Sequence, residues 1–169
     1  MTKLPHPDQR HLEAAEGWIG LGNYQEANEE LEEITPQLRA HPQVLIVRGQ
    51  IYAQAKKWEA CIEIAEAVVQ TAPELLNGWL DRSFALHELK RTEEAHDLLL
   101  PAKDKFPEIW TIPYNLACYC SQLGRFEEAE KWFKAAMALE EETVKREAID
   151  DPDLKPFWDS LSGSVWKAE

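Results

Sequence analysis

The sequence is short of cysteine, glycine and long apolar runs, and each shortage excludes a class of protein. No run approaches the roughly 20 apolar residues that a membrane-spanning helix needs. Seven Gly and ten Pro in 169 residues exclude a collagen-like or linker-type chain. The three cysteines, Cys61, Cys118 and Cys120, cannot form a fully paired disulfide framework. Because residues 1–10 also hold no apolar secretory leader, we expect reduced thiols in a cytoplasmic protein.

Positive charge is also scarce. The chain has 18 Lys and Arg against 31 Asp and Glu, which gives a formal net charge of −13 at pH 7. Such a surface repels phosphate groups, so we expect neither nucleic acid nor an anionic membrane as a partner. The rest of the composition, 44% hydrophobic and 29% charged, is that of a globular chain long enough to bury a core.

The motifs of catalysis and metal binding are missing as well. The sequence has no Gly-rich phosphate loop, no G-x-S-x-G and no H-E-x-x-H. Its five histidines are scattered, and His87 and His96 lie on different predicted helices without further ligands at a metal-binding spacing. Cys118 and Cys120 face different sides of a helix and cannot easily chelate one ion together. Cys120 and Cys61 occupy core columns and are expected to be small buried side chains, whereas Cys118 can point into a groove, with a reactive thiol as the alternative. We therefore predict no enzyme, no metal and no cofactor.

What the sequence does contain is an internal repeat. One small residue marks the same place in four similar segments, each 34 residues after the one before: Ala27, Cys61, Ala95 and Ala129. A second column of small residues lies twelve positions earlier: Ala15, Gly49, Ser83 and Ala117. Between these columns apolar residues recur every three or four positions, which is typical of one face of a helix.

Each segment is predicted to form two helices, for example over residues 42–55 and 58–70. Gly22 and Gly124 stand where a helix C-cap falls between the two. Small side chains let the two helices approach closely. One such hairpin cannot bury its apolar face alone, so neighbouring hairpins are expected to stack. Because no useful length of alternating β pattern occurs, we expect an all-α chain.

This pattern resembles the tetratricopeptide repeat, in which W-x2-L-G-x2-Y is followed by A-x3-F and Pro at a 34-residue period. The second segment matches it at Leu45, Arg48, Gly49, Tyr52, Cys61, Ala65 and Pro73. The resemblance implies an all-α, right-handed superhelical solenoid of helix-turn-helix repeats. The expected repeats are residues 8–41, 42–75, 76–109 and 110–143, with a C-terminal capping helix within 144–169. Arg48 and Arg82 replace the usual Leu, so we expect partial exposure or a local ion pair there.

The C-terminal capping segment departs from the period. Asp151 and Pro152 are typical of an N-cap and a first-turn proline, and Gly163 is expected to end the helix that follows. Its apolar residues fall on one face: Phe157, Trp158 and Leu161. A cap over the last repeat is the simpler interpretation. A detachable peptide that binds a partner is the alternative.

In tetratricopeptide repeat proteins the first helix of each repeat lines a concave groove that holds a peptide or a helix. By that resemblance the groove-lining residues are Ile46, Gln50, Gln54, Asn77, Leu80, Phe84, His87, Tyr114, Cys118 and Gln122. The alternative for each is ordinary surface or packing between repeats. The positions that would hold an acidic chaperone tail are Leu12, Glu16, Val47, Asn77 and Asp81. Only Asn77 suits an anion, so that type of ligand is not expected.

The sequence thus predicts a non-enzymatic protein–protein interaction module that presents a concave groove to a peptide or helix of a partner protein. The first repeat alone carries a formal net charge of −6, from two basic and eight acidic residues. We therefore expect basic or apolar partners. A dedicated chaperone or assembly factor for one client protein and a self-associating scaffold are the alternatives.

Overall fold

The computed structural model describes residues 3–165, with side chains as far as Leu161, and every regular element in that range is helical. The α-helices are α1 (His6–Gly20), α2 (Tyr24–Glu33), α3 (Pro42–Gln54), α4 (Trp58–Thr71), α5 (Leu76–Glu88), α6 (Thr92–Leu99), α7 (Ala102–Lys105), α8 (Thr111–Gln122), α9 (Phe126–Leu139), α10 (Glu141–Ala148) and α11 (Lys155–Val165). The chain divides into two compact units, residues 1–86 and 87–169, and the boundary falls inside α5. The predicted all-α fold class is confirmed.

Short turns join the helices into pairs. In the first unit α1 packs on α2 and α3 packs on α4, and in the second unit α8 packs on α9. The helices predicted over residues 42–55 and 58–70 are confirmed as α3 and α4. Asn23 begins α2, because its side-chain oxygen accepts a hydrogen bond from the backbone N of Glu26 at 3.3 Å. The exact limits of the four repeats and of the capping segment stay predictions.

The turn between the paired helices holds a left-handed residue at a 34-residue interval. The backbone φ is +74° at Gly22, +52° at Lys56, +63° at Lys90 and +73° at Gly124. Positions that correspond in the predicted repeats therefore share one backbone conformation, and the glycine caps expected at Gly22 and Gly124 are confirmed. Lysine carries a Cβ that disfavours this region of φ, so the turns at Lys56 and Lys90 are strained.

Small residues occupy the places where helices approach each other. The four marker residues are all buried: Ala27, Cys61, Ala95 and Ala129. At Gly78 on α5, an added Cβ would lie 2.9 Å from Val68 Cγ1 on α4, which is closer than carbon atoms pack. At Gly49 on α3 the nearest atom, Ile64 Cγ2, would be 3.6 Å away. The close approach of α4 and α5 therefore depends on Gly78.

The two arginines in the leucine column have different surroundings. Arg48 Nη1 donates to Glu32 Oε1 at 2.8 Å, and Arg39 Nη1 donates to Glu32 Oε2 at 2.6 Å. The hydrogen bond from Arg48, followed by the charges of both arginines, lowers the pKa of the Glu32 carboxyl. The local ion pair expected at Arg48 is thus confirmed. Arg82 is buried, and its guanidinium carbon lies 5.4 Å from the centre of the Trp79 ring.

The chain after α10 packs back on the last helix pair, where α11 contacts α8 and α9. The helix expected from Pro152 begins only at Lys155, because the Asp151 side chain accepts the backbone N–H of Asp153 and forms a local turn. The stop expected at Gly163 is also wrong, since α11 continues to Val165. Two of its aromatic residues pack on α9: Phe157 and Trp158, with ring centres 6.5 and 5.2 Å from that of Phe133.

Candidate functional site

The first unit contains a partly open, mostly apolar cleft, in which about 70 Å³ is wide enough for water-sized molecules. Side chains from α3, α4 and α5 line it, and they include Ile46, Gln50, Trp58, Cys61 and Phe84. Gly49 and Gly78 also lie along the cleft and contribute no side chain to fill it. We call this space the first-unit cleft.

Phe84 stands at the exposed edge of the first-unit cleft. Its side chain is 47% exposed, a large fraction for an aromatic residue, and its ring meets Trp58 edge-on with centres 5.7 Å apart. That contact holds the ring in place while one face stays open to solvent. An aromatic group in this position can cover an apolar side chain of a partner at little cost in conformational entropy.

Asp81 supplies the negative charge of the first-unit cleft. Burial raises the pKa of its carboxyl to about 6. Among the groups that the structure describes, none forms a hydrogen bond or an ion pair with this carboxyl. Burial and the charge of Asp81 also raise the pKa of the Cys61 thiol, so this thiol stays protonated and unreactive.

The prediction and the structure overlap partly in the first unit. Three predicted groove residues line the cleft: Ile46, Gln50 and Phe84. Three others do not line it: Gln54, Asn77 and Leu80, of which the first two are exposed. Trp58, Cys61 and Asp81 line it although the prediction did not include them. The 34-residue pattern assigns Trp58 and Cys61 to the second helix of a repeat, whereas the family resemblance places groove residues on first helices only.

In the second unit, the other four predicted groove residues contact the chain itself. Their partners lie in the C-terminal connector, which we define as residues 149–154 between α10 and α11. The Tyr114 hydroxyl donates to Asp151 Oδ2 at 2.6 Å, and the Cys118 thiol lies 3.6 Å from the same oxygen. Gln122 Nε2 donates to the backbone oxygen of Asp153 at 3.0 Å.

His87 completes this set of contacts, with Nε2 at 3.1 Å from Asp153 Oδ2 and Nδ1 at 3.0 Å from the Thr92 hydroxyl. Next along α8, the Ser121 hydroxyl accepts a hydrogen bond from the backbone N of Phe157 at 3.2 Å. Side chains that were expected to face a partner are therefore held by a segment 30 or more residues later in the chain. Sequence spacing gives no signal for such a long-range contact.

Burial is the main cause of the pKa shifts where α8 meets the C-terminal connector. It raises the pKa of the Tyr114 hydroxyl, and the hydrogen bond to Asp151 acts in the same direction. Burial, followed by the charges of Asp151 and Asp153, raises the pKa of the Cys118 thiol well above its ordinary value. A protonated thiol is a poor nucleophile, so these values argue against the reactive-thiol alternative at Cys118.

Groups able to bind a metal ion also come together in the second unit. One cluster is present among the described residues: His96 on α6, Cys120 on α8 and Glu128 on α9. None of the described helices is both long and apolar enough to cross a membrane.

Comparison with known proteins supports the fold. Residues 114–143 match the family model of the tetratricopeptide repeat. A thermophilic TPR protein from Thermus thermophilus superposes with a TM-score of 0.70 at 22% identity, over 79% of this chain and 75% of that chain. MamA of Desulfovibrio magneticus RS-1, from residue 41 to its end, gives 0.71 at 16% identity, over 83% and 79%. MamA of AMB-1 gives 0.65 at 19% identity, over 93% of each chain.

A comparison with curated protein sequences gives no match. The structural likenesses are at 16–22% identity, so they establish a shared fold and carry no partner or activity to this chain. The resemblance inferred from the repeat pattern is nevertheless confirmed by two independent comparisons. The chain has the fold of tetratricopeptide repeat proteins, and its residues 114–143 also match the tetratricopeptide repeat model by sequence.

Proposed function

We propose that the protein is a non-enzymatic interaction module whose first unit holds a peptide or helix of a partner protein in the first-unit cleft. Tetratricopeptide repeat proteins generally bind other proteins or peptides. The observation that carries the proposal is an open apolar cleft edged by the half-exposed Phe84. Mostly apolar clefts with a few placed polar groups are typical of binding sites.

The chemistry of the cleft favours an apolar segment that carries one Lys or Arg. Ile46 and Phe84 offer apolar surface, and the exposed amide of Gln50 offers both a donor and an acceptor to a peptide backbone. Asp81 offers an unpaired carboxylate at the same place. A cation from a partner would pair with this carboxylate and offset its loss of solvation. Residues 1–86 hold 7 Lys and Arg against 13 Asp and Glu, a net charge of −6 that attracts such a partner.

The second unit is proposed to contribute less to partner binding. Tyr114, Cys118, Gln122 and His87 already have intramolecular partners in the C-terminal connector. A partner at these positions would first have to displace Asp151 and Asp153. The three cysteines are free and buried, which supports a reducing compartment such as the cytoplasm.

The proposal is tested with a peptide array in which each apolar sequence appears in three forms. The single charged position is Arg, its neutral isostere citrulline, or Glu. We expect the Arg form to bind most tightly and the citrulline form about fivefold more weakly, as for a partly desolvated ion pair worth about 1 kcal/mol. Phe84→Ala should weaken binding of every form, whereas Leu21→Ala, at an exposed residue of the first unit outside the cleft, should have no effect.

The outcomes separate the parts of the proposal. Equal binding of the Arg and citrulline forms would contradict the role of Asp81 and leave the cleft as a site for apolar segments. Binding that is unchanged by Phe84→Ala would place the site elsewhere. No binding of any peptide at about millimolar concentration, with self-association in light scattering, would favour the scaffold alternative.

A further inference from the structure

Three side chains with different metal-binding atoms meet in the second unit. An imidazole nitrogen of His96, the Cys120 sulfur and a carboxylate oxygen of Glu128 all lie within 4.8 Å of one another. They come from α6, α8 and α9, so the packing of three separate helices fixes their positions. Rigid elements of this kind hold metal ligands better than loops do.

The spacing between sulfur and carboxylate suits one shared ion. Cys120 Sγ lies 3.7 Å from Glu128 Oε2. Zinc–sulfur and zinc–oxygen bonds of about 2.3 and 2.0 Å at a tetrahedral angle place the two ligand atoms about 3.5 Å apart. An ion can therefore take both atoms with a shift of a few tenths of an ångström.

His96 carries the second, independent observation. Its side chain is buried, the whole residue being 6% exposed, and Nε2 has no hydrogen-bond partner among the described residues. An unsatisfied buried nitrogen is uncommon in folded proteins, and a bound metal ion is one way to satisfy it. The other nitrogen, Nδ1, lies 3.1 Å from Asp97 Oδ1. A carboxylate on one nitrogen that leaves the other free is the usual arrangement of a metal-binding histidine.

Burial and charge are also compatible with a cation. Cys120 is fully buried and His96 nearly so, whereas Glu128 is exposed and leaves one side of the cluster open to solvent. The positive charge of the neighbouring Arg125 is offset by Glu93, whose two carboxylate oxygens lie 2.5 and 2.7 Å from Arg125 Nη2. A solvent molecule could thus complete a four-coordinate site.

We propose that His96, Cys120 and Glu128 form a binding site for a divalent transition-metal ion, with Zn²⁺ the best fit to one nitrogen, one sulfur and one oxygen ligand. Binding replaces the contact between the Cys120 thiol and the Glu128 carboxylate, and the thiol proton is released to solvent. The ligands are separated by 24 and 8 residues, which matches no metal-binding motif. The sequence by itself therefore gives no sign of a metal site here.

The test is a titration of the full chain with Co²⁺, which reports thiolate ligation by a near-ultraviolet charge-transfer absorption, followed by displacement with Zn²⁺. We expect one ion per chain and a thiolate–cobalt band that Zn²⁺ removes. Cys120→Ser should abolish the band, and Cys118→Ser, two residues away on the same helix, should leave it unchanged. Glu128→Gln should weaken binding by at least tenfold, whereas Glu127→Gln should not.

Three results would overturn the proposal: no thiolate band in the unmodified chain, a band that survives Cys120→Ser, or a band lost equally in Cys118→Ser. Circular dichroism shows whether Cys120→Ser still folds. If it does not, the exposed pair Glu128→Gln and Glu127→Gln decides the question, because neither change removes a buried side chain. Equal Co²⁺ affinity in these two variants would also contradict the site.

Discussion

The unpaired carboxyl of Asp81 should make the stability of the protein depend on pH in a direction opposite to the usual one for an acid. Burial raises its pKa to about 6, whereas an aspartate in the unfolded chain has a pKa near 3.9. Between these values the folded state holds more protons than the unfolded state. The free energy of unfolding contributed by Asp81 therefore falls as the pH rises from about 4 to about 6, and the penalty is complete above that range.

The size of the effect follows from the difference between the two pKa values. About 2 pH units at 1.36 kcal/mol each correspond to about 3 kcal/mol. Because the residue is mostly but not fully buried, solvent screening reduces the expected penalty to about 2 kcal/mol. An asparagine at this position has no charge to bury. Asp81→Asn should therefore remove this pH-dependent part of the free energy of unfolding, even if the substitution also changes stability by a constant amount at every pH.

Urea unfolding followed by circular dichroism measures this directly at about pH 4 and about pH 8. We expect the free energy of unfolding of Asp81→Asn, measured relative to that of the unmodified chain, to increase by about 2 kcal/mol from the lower to the higher pH. Asp150→Asn is the matched control, since Asp150 is exposed and its substitution should give no such change. A difference between Asp81→Asn and the unmodified chain that is the same at both pH values would refute the burial of this carboxyl.

Three further predictions concern stability. Tyr114→Phe removes the hydrogen bond to the Asp151 carboxylate and should lower the free energy of unfolding by about 2 kcal/mol in urea titrations; no loss would mean that this contact is not formed. Gly78→Ala should be about 2 kcal/mol less stable than Gly49→Ala in the same assay, because only the first added methyl group meets a side chain below 3 Å, and equal stabilities would contradict that close approach. Lys56→Gly should raise stability by about 1 kcal/mol in thermal unfolding, since it relieves a left-handed residue, and a decrease would mean that lost chain entropy outweighs the strain.

The fold was predictable from the sequence because the repeat pattern follows directly from the way the helices pack. A small residue must recur wherever two helices approach, and Ala27, Cys61, Ala95 and Ala129 are buried at those places. Even the strained turns follow the period. The start of the last helix was less predictable, because the Asp151–Pro152 pair is as typical of a local turn as of a helix start.

The candidate site was predictable only where local position decides it. Ile46, Gln50 and Phe84 follow from their places on first helices. The contact of Asp151 with Tyr114 joins residues 37 apart in the chain, and the cluster of His96, Cys120 and Glu128 joins three helices. Such juxtapositions arise from tertiary packing and leave no spacing that a motif can express.

Equivalent columns of the repeat pattern thus have different surroundings. Gln50, Phe84 and Cys118 occupy one column at 34-residue steps, but Gln50 and Phe84 are exposed and Cys118 is buried against Asp151. The difference comes from the C-terminal connector. Of these three residues, the connector contacts only Cys118 in the part of the chain that the structure describes. A partner that uses this column therefore meets free side chains in the first unit, whereas at Cys118 and Tyr114 it must first break the hydrogen bonds of Asp151. On the function proposed above, a partner would therefore bind at the first-unit cleft, where Phe84 and the unpaired Asp81 are available.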